Sequence, residues 1–106
     1  IRELEAYFAR YALSQLRFLA MIVIDREPDR DSLTAGEIAE RLDVSRPVVT
    51  RTLQGLERAG LIAISENSED ARSRNVTLTL SGKAKLDEVL PGYFAILHRP
   101  DPAADK

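Results

Sequence analysis

The sequence predicts a mainly α chain with one small β-hairpin (α+β), and three observations carry that prediction. Apolar residues recur with helical period through the first 25 positions, two short striped segments with capping residues follow one another over residues 34–60, and two β-branched segments lie beyond Gly60. Residues 1–25 place Leu4, Phe8 and Tyr11 on one helical stripe and Leu16, Leu19, Ala20 and Val23 on a second. Ser14 suits an N-cap between two helices, although one uninterrupted helix fits the pattern as well. Residues 16–24 are apolar nearly all the way round, so this segment, with Met21, is expected at the centre of the core.

Residues 25–32 read as a charged loop containing Pro28, and Leu33 as a short extended stub. Thr34 and Glu37 then have the spacing of a capping box, in which each side chain satisfies a backbone N–H at the other's end of the turn. Ile38, Ala39 and Leu42 supply the buried face of the helix that follows, and Asp43-Val44 make a tight connection. Ser45 caps the next helix, Pro47 is tolerated in a first turn whose N–H groups have no intrahelical partner, and Gly60 closes it. Val49, Leu53 and Leu56 share the packing face; Arg46, Pro47, Thr50, Arg51 and Gln54 share the other. Two short helices so closely joined are the pattern of a helix-turn-helix.

Residues 61–65 form a first expected strand, and Val76, Leu78 and Leu80 alternate with polar residues in a second. The polar connection over residues 66–73 is longer than a tight turn needs and reads as a wing. Ser81 is expected to cap a last helix carrying Leu86, Val89 and Leu90, which Pro91-Gly92 kink or end before Tyr93, Phe94 and Leu97. This order of elements is that of a winged helix-turn-helix. Within a single domain the expected division is an N-terminal helical core and dimerisation segment (1–25), the winged helix-turn-helix (26–82), a C-terminal helix (83–99) and a disordered tail (100–106).

Composition narrows the chemistry. With no Cys and one His, disulfides, thiolate chemistry and the usual zinc sites are excluded, and no metal or cofactor is expected. Nothing combines a nucleophile, a partnered His or a glycine-rich phosphate loop, so an enzyme is not expected. The apolar run 18–24 falls short of the roughly 20 residues that span a bilayer, no signal-peptide pattern is present, and a cytoplasmic protein is expected. The net charge of −2 conceals an uneven distribution: residues 41–85 carry eight Lys/Arg against five Asp/Glu, whereas residues 1–40 carry five against eight. A weakly basic centre between acidic flanks fits a local nucleic-acid face better than general coating of DNA.

Several segments resemble the MarR family of bacterial transcriptional regulators over about residues 13–90: Leu33 to Leu42, Ser45 to Arg51, Leu56 to Leu61, and the pair Asp70 and Arg72 followed by the Leu-Thr-x-x-Gly run that ends at Gly82. The resemblance implies a homodimer with two recognition helices in successive major grooves, wing arginines in the flanking minor grooves, and repression relieved by a small, often aromatic acidic ligand. In that family an N-terminal helix and long C-terminal helices build the dimer; this chain begins partway into the first and continues little past Leu97, so a homodimer whose interface is reduced, rearranged or lost is expected.

On this reading the recognition helix, about 20 Å long at 1.5 Å per residue, suits a major groove. Arg46 and Arg51 are the leading base or phosphate contacts, Thr50 offers a hydroxyl or methyl, and Ser45 and Gln54 are lesser candidates. Arg72 is the minor-groove cation, oriented by Asp70, and Arg74 at the base of the wing is a phosphate contact. A solvated helix face and an ordinary exposed ion pair are the plainer readings of the same residues. A winged helix serving protein contact alone is the alternative function, but it calls for an apolar or acidic face where Arg46 and Arg51 stand. Tyr7, Tyr11 and Phe18 suit a ligand pocket or dimer interface, or simply the core. Lys83 and Lys85 read as solubilising, and His98 as a surface residue.

Overall fold

The computed structural model describes residues 2–11, 13–67, 69 and 73–98. Five helices and three strands follow in order: α1 (Arg2–Ala9), α2 (Gln15–Asp25), β1 (Leu33–Thr34), α3 (Ala35–Leu42), α4 (Arg46–Arg58), β2 (Ile62–Glu66), β3 (Arg74–Leu78) and α5 (Leu80–Leu97). The break at Ser14 is real: its hydroxyl accepts the Arg17 N–H and starts α2. The stub and the hairpin form one antiparallel sheet in the order β1-β3-β2, with Val76 placed between Leu33 and Ile64.

Helix α2 runs through the middle and packs against α1, α3, α4, α5 and β3, as its all-round apolarity requires. Its deepest residues are Phe18, Met21 and Ile24 with Ala20, whereas Leu16, Leu19 and Val23 of the expected stripe are only half-buried. A helix wrapped on several sides has no single inner stripe, which is why periodicity chose the wrong one. Phe8, Phe18 and Tyr93, from α1, α2 and α5, make an aromatic cluster with centroid separations of 4.6 to 5.8 Å. Tyr7 and Phe18 are therefore core residues, and Tyr11, half-buried, packs edge-on to Tyr7 at 5.3 Å.

Helix α5 departs from expectation twice. Its N-cap is Thr79 rather than Ser81, and Leu80, expected as the last inward residue of a strand, instead opens the helix and is 92% exposed. The Thr79 hydroxyl accepts the Gly82 N–H at 3.0 Å and donates to the Gly60 carbonyl at 2.7 Å, while the Thr79 N–H donates to the Leu61 carbonyl. Ser81 lies past this junction and can reach neither partner, so position rather than hydroxyl chemistry decides the cap. Gly82 is equally constrained, because a β-carbon there would fall on the Leu61 carbonyl oxygen.

The helix also continues through Pro91 to Leu97 instead of ending. An interior proline costs about 3 kcal/mol of helix stability. Here tertiary contacts offset it: Tyr93 is locked in the aromatic cluster, the Tyr7 hydroxyl donates to the Val89 carbonyl at 2.7 Å, and Gly92 leaves the room that the Tyr7 ring fills. Burial, and then the adjacent Tyr11, raise the Tyr7 phenol above its ordinary pKa and keep it a neutral donor. Lys83 is more than solubilising, since it reaches Asp25 of α2 at 2.6 Å and its own pKa is raised by that contact.

Because Thr79 serves two turns at once, Thr79→Val is expected to cost about 1–2 kcal/mol, and Thr79→Ser to recover most of it. Urea denaturation of the three proteins measures the difference; equal stability of the Val and wild-type chains would show that the junction is held by packing alone.

Candidate nucleic-acid interface

The two helices of the helix-turn-helix are fixed by local chemistry. Thr34 and Glu37 form the expected capping box, with reciprocal bonds of 3.1 and 2.9 Å. Asp43 ends α3 in the left-handed region at φ 55, and the Val44 N–H returns to the Ala39 carbonyl, which turns the chain within two residues. Ser45 caps α4 by accepting from Val48, and Gly60, at φ 77, follows the last turn.

Ion pairs that sequence reasoning missed brace this unit. Arg30 grips Glu37 with both nitrogens, at 3.1 and 2.6 Å. The Arg30 guanidinium, and next the Thr34 backbone N–H, bring the Glu37 carboxyl down to about 2. Arg41 sits 2.5 Å from Glu27, and the close contact of its guanidinium N–H with that carboxylate is the main cause that lowers the Glu27 pKa, with the Asp29 backbone N–H acting in the same direction. Both pairs tie the loop before β1 to α3. Neither was legible beforehand, because the partners lie in a loop whose path the sequence does not specify.

Along α4 the predicted division of faces holds. Val49, Leu53 and Leu56 are buried, while Arg46, Pro47, Thr50, Arg51 and Gln54 are exposed. The exposed residues span a broad arc with Arg46 and Arg51 at opposite edges. Arg46 leans over the first turn of α3, its Nη1 3.1 Å from where a β-carbon of Gly36 would stand. There it borders a groove of about 430 Å³ between α4 and the sheet, edged also by Thr50, Gln54 and Arg74 and floored by Leu53 and Val76. Arg74 opens β3 and is exposed, at the base of the wing as expected. Asn67 spans that base, its amide donating to Asn75 at 3.1 Å and its backbone N–H to Ser73. Asp70 and Arg72, the expected tip pair, lie outside the described residues, as does the tail 100–106. Tyr7 and Phe18 are inside the helical core described above, Tyr11 is half-buried against it, and His98 is exposed with Nδ1 2.9 Å from the Phe94 carbonyl. No group of metal-ligating side chains occurs among the described residues, and no described helix is long and apolar enough to cross a membrane.

A three-stranded sheet backing a capped helix-turn-helix, with an exposed second helix beside a hairpin, defines a winged helix-turn-helix protein. Residues 13–73 match the model of the MarR family, and the chain belongs to that family. It is 38% identical to the HTH-type transcriptional repressor YetL of Bacillus subtilis over 87% of this chain and 54% of YetL. Among solved structures it resembles the YusO protein from Bacillus subtilis, at TM-score 0.81 and 30% identity over 91% of this chain and 66% of that one. It also resembles a mutant MarR from E. coli complexed with operator DNA, at TM-score 0.80 and 25% identity over 92% of this chain and 67% of that one. The chain spans about half the length of the curated relatives it matches.

The depressed Glu37 pKa carries a stability signature. A carboxylate whose folded pKa lies below its unfolded value stabilises the fold above the unfolded pKa and loses that contribution as pH falls toward the folded one. The stability gap between wild type and Glu37→Gln is thus expected to be full above about pH 5 and to shrink steadily toward pH 2. Urea titrations at a series of pH values test this, and a gap that did not vary with pH would assign Glu37 a purely steric role.

Proposed function

We propose that this chain is the DNA-binding unit of a sequence-specific transcriptional regulator that acts as a ligand-responsive repressor. The observation that carries the reading is the exposed arc of α4, where Arg46, Thr50, Arg51 and Gln54 all face solvent above a fully packed Val49, Leu53 and Leu56. An element about 20 Å long with such a face fits a major groove roughly 12 Å wide. Arg51, at an edge of the arc, reads a base with its planar fork; Thr50 and Gln54 contact base edges or sugar-phosphate beside it. Ser45 and Pro47 set the depth at which the helix end enters.

The groove beside α4 supports the division of labour between helix and wing. Arg46 and Arg74 stand on its rim, so a phosphate strand lying along it meets a cation from each side. The wing tip beyond Arg74 then follows the strand into the minor groove, with Arg72 as the inserted cation and Asp70 as its orienting partner. The solved E. coli MarR mutant in complex with operator DNA, with which this chain shares its fold, supports DNA as the partner.

The protein acts as a homodimer in this reading. Phe94 and Leu97, 40% and 47% exposed near the end of α5, supply apolar surface of the kind that a second copy covers. A small aromatic acid bound between the helical core and the winged helix would release DNA by shifting one relative to the other.

Arg51→Ala is expected to lower affinity for a selected high-affinity duplex about 10-fold or more, with a smaller loss on mixed-sequence DNA. Fluorescence anisotropy on both duplexes checks it; matching losses would reduce Arg51 to a phosphate contact. Sedimentation of the chain alone is expected to show a dimer, whose bound half-sites would be spaced about 34 Å apart. A strictly monomeric species at high concentration would count against the two-fold arrangement.

A further inference from the structure

Gly55 is an anomaly in the recognition helix, because glycine in a helix interior costs about 1 kcal/mol relative to alanine. The structure supplies the reason. The guanidinium of Arg17, reaching from the first turn of α2, occupies the space that a β-carbon of Gly55 would take, and all three of its nearest atoms belong to that group. Gly55 is consequently buried beneath a side chain from another helix.

The place where this cation arrives matters. Gly55 lies four residues from Arg51 and three from Arg58, on the same flank of α4. Both arginines are exposed, so Arg17 fills the gap in a row of three positive charges. This flank is opposite the one that carries Arg46, Leu53 and Glu57 along the groove with the sheet. Arg17 itself is half-buried, and among the described residues no carboxylate or other side-chain partner pairs with it. A guanidinium has five N–H donors, and none of those of Arg17 is sealed off from solvent without a partner, so the group can reach an anion from outside.

We propose that Arg17 is a DNA-phosphate contact on the wall of the major groove opposite the wing. A helix in that groove has a sugar-phosphate strand on either side. The hairpin and Arg74 attend to one, and Arg17, delivered by α2 across the gap left by Gly55, attends to the other. The proposal rests on α4 being the recognition helix. Its consequence is that α2, otherwise a core helix, contributes a charge to the interface through its first turn, and that the side-chain-free position at 55 exists to admit it.

The test uses the full chain with a selected high-affinity duplex and a mixed-sequence duplex, each titrated over a range of salt. Arg17→Gln is expected to weaken binding to both duplexes by the same factor and to reduce the slope of log affinity against log salt by about one, the value for a single phosphate contact. Arg17→Lys should keep the slope. Gly55→Ala, which places a methyl group where the guanidinium lies, should lower the slope as Arg17→Gln does while leaving residue 17 unaltered. An unchanged slope in Arg17→Gln, or a loss confined to the selected duplex, would overturn the proposal and make Arg17 a packing residue. Should Arg17→Gln fail to fold, the comparison of Gly55→Ala with wild type decides in the same way. Arg51→Ala, measured alongside, separates the two readings: if it weakens binding while Arg17→Gln leaves the slope intact, only the Arg17 contact fails, whereas undiminished binding to both duplexes in Arg51→Ala removes the recognition-helix reading itself.

Discussion

One hydroxyl group ties the start of α5 to the turn that follows α4. Thr79 holds the start of α5 through the Gly82 N–H and the end of the α4 turn through the Gly60 carbonyl, and its own N–H fastens Leu61. Gly82 must be side-chain-free for the backbones to come this close. The direction of α4, the start of β2 and the axis of α5 are thereby set by one small cluster of bonds. A displacement of α5 carries the Gly60–Leu61 turn with it, and the exposed arc of α4 follows. The Leu-Thr-x-x-Gly pattern, visible in the sequence only as a motif, is the residue set this junction requires.

Two sets of arginines are used differently in this chain of net charge −2. Arg30 and Arg41 are consumed in pairs with Glu37 and Glu27 that lash the loop to α3. Arg17, Arg46, Arg51, Arg58 and Arg74 have no carboxylate partner among the described residues, and all five lie on or beside α4 and the base of the wing. Glu27 and Glu37 thus hold structural arginines, and the arginines around α4 are left without a carboxylate.

Much of the fold was legible because its signals are local. The capping box at Thr34 and Glu37, the Ser14 and Ser45 caps, the turn at Asp43 and the buried face of α4 each depend on residues within a few positions of one another, and each stands where the sequence placed it. The element order was recoverable for the same reason. The errors share the opposite property. Thr79 displaces Ser81 as the cap because of a carbonyl 19 residues away, Leu80 turns outward because that cap ends the strand early, and α5 survives Pro91 because α1 and α2 hold it. On α4, the exposure of Thr50, Arg51 and Gln54 was readable from spacing, but the approach of Arg17 to Gly55 was not. The only trace of it in the sequence was a glycine in a helix interior, and a glycine does not say what approaches it.

Tyr7 and Val89 are bonded across 82 residues of chain, at the point where Pro91 deprives α5 of one of its own backbone bonds. The last turns of α5 therefore lack the local cooperativity of an ordinary helix and borrow it from α1. In hydrogen-exchange terms α1 and the last turns of α5 are expected to open together, because the amides beyond Pro91 rest on the Tyr7 contact with Val89 and Gly92. The interior between α2, α3 and the sheet has its own contacts and stays closed during such an event. A protein built this way can loosen its helical ends, where a partner copy would dock, without disturbing the turn that aims α4.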